Sequence, residues 1–539
     1  MSSLLTSNLV VATGTAVSRV TGLLRVVVFA YVIGQTPLAD AYKLANETPN
    51  IVYDLLLGGV LSATLVPLFT SFLGARGADD ALSGPDDHAT NVVITISVTL
   101  MVALTAVAVI AAPLIFRLYS LNLADDVDAG LFRDVGTTLT RIFLVQILFY
   151  GLTGVANAYL NSRRRFFAAA WSPVLPNLII IVTLLSLPSA GDTEWTLADV
   201  VVNDRLRWTL GLGATAGIAA MAFTVVPAML TAGLRFRPAW EWKHPAVRKL
   251  LSLSGWTIGF VAANQVALIV VRNLALGEGE GIASSYFDAF VWFVLPHGLL
   301  AVSIATTFQP EMARAVAARD RRAFIHHTSL GTRLITVLTL PAAAGMLVLR
   351  EPIIGLMLRG QFDATDLRNT SRALAGLAIG LVGFSVYLFV LRGFYAHQDT
   401  RTPFVLNVGE NLLNVVFAFV LVGRWGVLGL GLAYSIAYLL SSLWALTVLS
   451  YKVRGFRVRE VIGGMWKPIL AATMMAGAMW FVTRDVGRDT GWPGLAQVVV
   501  GGSVGIVVYL AVLVAARADE MSWLQHRLRR DAEVDPAGG

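Results

Sequence analysis

The sequence predicts an all-α polytopic membrane protein of about fourteen spans, arranged as two six-helix lobes related by a parallel pseudo-two-fold repeat, with two further C-terminal helices. Three observations carry that prediction. Of the 539 residues 56% are hydrophobic and only 14% are charged, whereas a soluble domain carries about 25% charged residues. Mean hydropathy is +0.69. Apolar runs of the roughly 20 residues a spanning helix needs recur along the whole chain.

Taken in order, the expected spans are 8–33, 38–74, 90–116, 136–161, 166–188, 208–234, 250–276, 283–313, 328–349, 370–395, 402–423, 425–451, 463–483 and 491–516. The segment 353–361 is too short to cross and suits an interfacial helix. Pro173 and Pro176 are expected to kink or break the fifth span, and Pro296 the eighth. The N-terminus lacks a basic region before a short apolar core, so the first span is expected to stay as a helix. With the N-terminus inside, the inward turns collect SRRR at 162–165, the basic run 234–249, RAVAARDRR at 314–322 and YKVRGFRVR at 451–459. Such a bias sets orientation by the positive-inside rule, placing both termini in the cytoplasm.

Internal similarity supports the lobes. ADAYKLANETP at 39–49 matches FDAFVWFVLP at 287–296, and NAYLNSRRRF at 157–166 matches GFYAHQDTRTPF at 393–404. Both pairs keep the same orientation, which is a parallel repeat, one usual build of transporters. The division expected is 1–235 for the first lobe, 236–455 for the second, 456–516 for the last two helices and 517–539 for a cytoplasmic tail.

Charge at membrane depth marks the site. Arg19 and Arg25 lie in the first span. In the second, Asp40, Lys43, Glu47, Asn50 and Asp54 are spaced by three and four, which lines them along one helix face. An ionised group at the bilayer centre costs at least about 2.5–3.5 kcal/mol, so these residues are expected to face a polar cavity. Two local pairings compete with that reading: Lys43 with Glu47, and Arg272 of span seven with Asp288 of span eight. Asn407, Glu410, Asn411 and Asn414 lie along span eleven. Asparagine often bonds between helices in membranes, but Glu410 demands a partner, a proton or an ion.

Several classes drop out. No basic tract interleaved with aromatics suggests a nucleic-acid partner. Cysteine is absent, which removes disulfides, thiolate sites and a cysteine nucleophile. There is no phosphate-binding glycine loop of the ATPase kind. No outward loop is long enough for an extracytoplasmic catalytic domain, so no enzyme is expected. His326 and His327 are read as part of an inward basic loop, and no metal site is expected.

SRVTGLLR at 18–25, DAY at 40–42, PN at 49–50, GGVLSATLVP at 58–67 and GFYAHQDTRTP at 393–403 resemble the MurJ (MviN) family, the lipid II flippases of the MOP superfamily. PNIVYDLLLGGVLS at 49–62 is similar to its actinobacterial branch. The resemblance implies a cationic central cavity, matched here by Arg19, Arg25 and Asp40, and a groove for a polyprenyl tail along the last two helices; the helical row adds Lys43, Glu47, Asn50 and Asp54 to the expected lining, and Arg272 joins it. It implies that undecaprenyl-pyrophosphate-linked disaccharide-pentapeptide crosses from inner to outer leaflet of the bacterial cytoplasmic membrane, for peptidoglycan synthesis. No cofactor is implied beyond a coupling cation or the membrane potential, with Glu410, Asn407, Asn411 and Asn414 as the coupling candidates. The expected partners are lipid II, the membrane and proteins of cell-wall synthesis or division, and the chain is expected to be a monomer. The chain departs from the family at Val26, at Tyr53 and Asp54, at Val291 and Val294, and at Ala418, each standing where members carry charge. Arg272 is read as replacing lost positive charge. The alternatives are an exporter of another polyprenyl-linked glycan and a non-transporting cell-wall scaffold.

Overall fold

The computed structural model describes residues 2–53, 65, 69–70, 87–163, 165–187, 194–245, 247, 255–484 and 490–517. Among them every regular element is helical. Eleven helices are long and apolar enough to cross a membrane, twelve when one bent pair counts as a single span. The expected second span is described as the Pro37–Tyr53 helix and at 65 and 69–70. The seventh appears as Gly255–Leu276, whose apolar part is Val261–Leu276. The remainders of both expected spans run outside the described residues.

The breaks fall where backbone chemistry puts them. A π-helical turn at His297–Ala301 follows directly on Pro296, which has no N–H to donate. The fifth span is split into Phe167–Trp171 and Val174–Leu185 around Pro173. The tenth bends by 48° between Ala364–Ala378 and Leu381–Ala396. There Ser435 Oγ donates to the carbonyl of Gly376 at 2.6 Å, covering a polar group that the bend leaves open. The short segment near 353 forms the Arg350–Gly355 helix. His326 and His327 prove helical, not loop: Asp320 caps the N–H of Ala323 at 2.9 Å and starts the Arg321–Val348 helix ahead of them.

The chain forms two compact units. The first comprises residues 1–284 and Gly360–Phe362. Its core joins Phe29, Tyr42, Phe116, Phe132, Phe143 and Leu206, so the first two helices are packed onto the third, fourth and sixth spans. Gly360–Phe362 belongs here because Gln361 N donates to Tyr31 O at 3.0 Å. Gly34 and Gly360 both have positive φ at this contact, and a Cβ on Gly360 would lie 2.2 Å from the Tyr31 carbonyl. Only glycine fits there.

The second unit holds residues 285–359 and 363–539. Its last two helices, Trp466–Thr483 and Gly491–Ala515, pack on Arg321–Val348 through Met475, Met479, Leu513 and Val337. Tyr509 donates its hydroxyl to Val337 O at 2.7 Å, so its one polar atom is satisfied inside that apolar contact.

Candidate functional site

In the first unit the charged residues gather on three helices. Arg19 is exposed and Arg25 half-buried on the Ser2–Ile33 helix. Among the described residues neither has a carboxylate or hydrogen-bond partner. Arg25 lies close enough to Tyr42 for its charge to act on the phenol.

On the Pro37–Tyr53 helix the polar row is present through Asn50, while Asp54 lies outside the described residues. Asp40 is 3% exposed, and both of its oxygens are engaged. Oδ2 accepts the N–H of Gly281 at 3.0 Å and Oδ1 that of Ser284 at 2.7 Å. Asp40 therefore caps the helix that begins at Ile282. Lys43 Nζ donates to Gln35 Oε1 at 3.2 Å and sits 5.1 Å from the Phe29 ring centroid. It reaches the Ser284 carbonyl at 3.5 Å, the outer limit of a hydrogen bond. Lys43, Glu47 and Asn50 are half-buried.

Arg272 and Glu47 form an ion pair. Where the sequence offers Lys43 as one partner for Glu47 and Asp288 as one for Arg272, the structure joins Glu47 and Arg272. Their side chains are 28% and 11% exposed, and the guanidinium also lies 5.8 Å from the Tyr119 ring. What sets its position is the next residue. Asn273 Oδ1 accepts the N–H groups of Leu121 and Asn122 at 2.6 and 3.0 Å, and its Nδ2 donates to Leu118 O at 2.9 Å. Asn273 ties the Gly255–Leu276 helix to the end of Asp87–Tyr119 and holds Arg272 over Glu47. Sequence reading passed it over; the only signal was an asparagine beside a buried arginine. Of the candidate residues that the structure describes, Arg19, Arg25, Lys43 and Arg272 stand against Asp40 and Glu47, a cationic excess.

The second unit carries a different polar centre. Asn407, Glu410 and Asn414 are buried on one face of Arg401–Trp425, while Asn411 is half-buried and donates Nδ2 to Asn407 O at 2.9 Å. Glu410 is 1% exposed and takes a hydrogen bond from Tyr438. Its Oε2 and the Oδ1 of Asn414 have no partner among the described residues. The ring of Tyr438 lies 4.6 Å from Tyr434, 5.0 Å from Phe384 and 5.5 Å from Tyr387. The group is a carboxyl and a carboxamide oxygen walled by aromatics, and such oxygens can hold a proton or a small cation. Among the described residues no cluster of three or more His, Cys, Asp or Glu could hold a metal.

The family model described as "Lipid II flippase MurJ" matches residues 29–492. The chain belongs to the MurJ family. Curated relatives include a "Probable lipid II flippase MurJ" of Vibrio cholerae, 26% identical over 523 residues and covering 95% of each chain. A second, of Rhizobium meliloti, is 29% identical, covering 86% of this chain and 84% of its own. The "Lipid II flippase MurJ" of Burkholderia cenocepacia is 28% identical over 82% of each. Among solved structures, a MurJ in an inward closed conformation superposes with a TM-score of 0.75 at 23% identity, covering 94% of this chain and 99% of its own. An inward-facing multidrug transporter of the MATE family, in the MOP superfamily, gives 0.64 at 14% identity, over 81% and 95%. At these identities the likeness is one of fold.

Proposed function

We propose that this chain is a lipid II flippase, a transporter and not an enzyme. It carries the undecaprenyl-pyrophosphate-linked disaccharide-pentapeptide to the outer leaflet of the bacterial cytoplasmic membrane. The observation that carries the proposal is the cationic excess in the first unit, with Arg19 and Arg25 unneutralised by any described carboxylate. A diphosphate leaving water needs fixed positive charge, and arginine offers a planar fork matched to phosphate oxygens. Arg19, Arg25 and Lys43 bind the pyrophosphate. Arg272 contributes from its place over Glu47, and Asn50 and Asp54 extend the polar lining. Asp40 shapes the entry to the next helix instead of touching cargo.

Transport proceeds by alternating access of the two lobes, 1–235 and 236–455, while 456–516 receives the polyprenyl tail and 517–539 remains a cytoplasmic tail. One unit charge crossing the field is worth about 2.3 kcal/mol per 100 mV, enough for the membrane potential to reset an empty cationic carrier. Glu410, Asn414, Asn407 and Asn411 supply the coupling centre for a proton or cation. The chain works as a monomer with both termini in the cytoplasm, beside proteins of cell-wall synthesis or division.

The test is depletion of the protein in its host, scoring lipid II exposed at the outer leaflet, with Arg19→Ala and Arg25→Ala offered for rescue. Wild type should restore exposure and both variants should not. Unchanged exposure on depletion would overturn the lipid II reading; rescue by both variants would remove the arginines from the site.

A further inference from the structure

A pocket in the second unit, far along the chain from the transport residues, has no role in the reading above. Arg322, His326, Ser329 and Arg333 form one wall of a cavity of about 390 Å³, and Glu460 and Val461 form the other. The four wall residues are spaced by four, three and four, so the Arg321–Val348 helix presents them along one face. Ile325 and Leu330 add apolar lining. The opposite wall is the short Val458–Gly463 helix.

The charge of this pocket is positive and open. Glu460 spends its carboxylate on Arg457 at 2.7 Å and gives its backbone carbonyl to Arg333 Nη2 at 3.0 Å. That bond fixes the Arg333 guanidinium while leaving its other nitrogens without an acceptor among the described residues; Nε is buried and unpaired. Arg322 is exposed and likewise has no counter-charge among the described residues. Arg454 and Arg459 stand exposed nearby in sequence. Two guanidinium groups and an imidazole around one space are a recognition set for phosphate oxygens.

We propose that this pocket binds the phosphate headgroup of an anionic phospholipid. Its rim points to a lipid over a soluble phosphate. Ile462, within the Val458–Gly463 helix wall, and Trp466, which opens the next helix, are 40% and 57% exposed, and an exposed tryptophan beside arginines is the signature of the membrane–water interface. The flanking basic segments 314–322 and 451–459 are those that the positive-inside rule assigns to the cytoplasm, the side where anionic lipid attracts basic pockets between helices. A bare phosphate would leave most of the cavity to water, whereas a glycerol-linked headgroup fills it and passes its chains to the bilayer beside Trp466.

Native mass spectrometry of the full chain in detergent tests this, with phosphatidylglycerol and phosphatidylcholine titrated separately. Phosphatidylglycerol should bind about tenfold or more tighter than phosphatidylcholine. Arg322→Gln, an exposed change that leaves packing intact, should weaken phosphatidylglycerol about fivefold. Arg322→Gln with Arg333→Lys should bring it to the phosphatidylcholine level. Arg359→Gln, an exposed arginine beyond the far end of the same helix, should change nothing. Undiminished phosphatidylglycerol binding in both pocket variants overturns the proposal, as does equal binding of the two lipids by wild type. Inorganic phosphate should fail to displace the lipid at equal concentration; equal displacement would make the pocket a site for soluble phosphate and overturn the lipid assignment.

Discussion

Arg272 and Glu47, 225 residues apart in sequence, are joined as an ion pair within one compact unit. A guanidinium with 11% of its side chain exposed cannot lose its counter-charge cheaply. Breaking a fully buried pair costs about 3–5 kcal/mol; with Glu47 partly solvated we expect Glu47→Gln to cost about 1–3 kcal/mol. Thermal unfolding in detergent measures it. Adding Arg272→Met to Glu47→Gln should recover part of the loss, since no charge is then stranded. Strictly additive losses would show that the two residues do not depend on each other.

Asp40 accepts two backbone N–H groups with two oxygens. Asparagine offers one oxygen, and its amide would point a donor at a donor. Asp40→Asn should therefore lower stability by about 1–3 kcal/mol, the cost of a buried unsatisfied donor. An unfolding midpoint equal to wild type would show that the cap does not hold the loop. The backbone leaves little slack for rearrangement. Gly281 has φ +69°, and a Cβ there would lie 1.9 Å from the Gln35 carbonyl.

The helices were legible because hydropathy is a local signal: one run of apolar residues is enough to predict Val427–Lys452 or Gly491–Ala515. The prolines foretold the breaks at Pro173 and Pro296 for the same reason. What stayed hidden depends on distant partners. Nothing within a few residues of Glu47 singles out Arg272 over Lys43, and nothing near Asn273 announces that it caps Leu121 and Asn122. The return of Gly360–Phe362 to Tyr31 hinges on two glycines with positive φ whose positions along the chain are unrelated. The polar row of the second span was readable as a row, since its spacing is helical. That Asp40 is spent on capping while Lys43 remains half-buried is a matter of what packs above it.

Glu280 lies in the loop before the Ile282–Pro296 helix. Burial first, and then the charges of Asp126 and Glu194, raise its carboxyl above the ordinary glutamate value. A carboxyl raised on folding binds its proton more tightly in the folded state, so it disfavours folding once pH exceeds the unfolded value and does so fully above the folded one. Glu280→Gln should raise the unfolding midpoint at pH 7, and the advantage should fade as pH falls through the raised folded value and be gone below about 4.3, the ordinary glutamate value. An advantage that persists undiminished at pH 3 would rule out charge as its cause.

Glu410 is held by Tyr438 on one side and, among the described residues, has an oxygen without a partner on the other. A carboxyl buried to 1% exposure, with no cation beside it among the described residues, is destabilising unless it takes up a proton or an ion at some stage of the cycle. Glutamine keeps the shape and one acceptor but can do neither, so Glu410→Gln should fold with an unfolding midpoint at or above that of wild type. Flipping by the variant, followed in vesicles as lipid II reaching the far leaflet, should lose its response to an imposed proton or sodium gradient. Asp at the same position keeps the charge and should retain a weakened response. If the Gln variant answers the gradients as wild type does, the coupling centre lies elsewhere, and Glu410 serves only to anchor Tyr438 between the two helices.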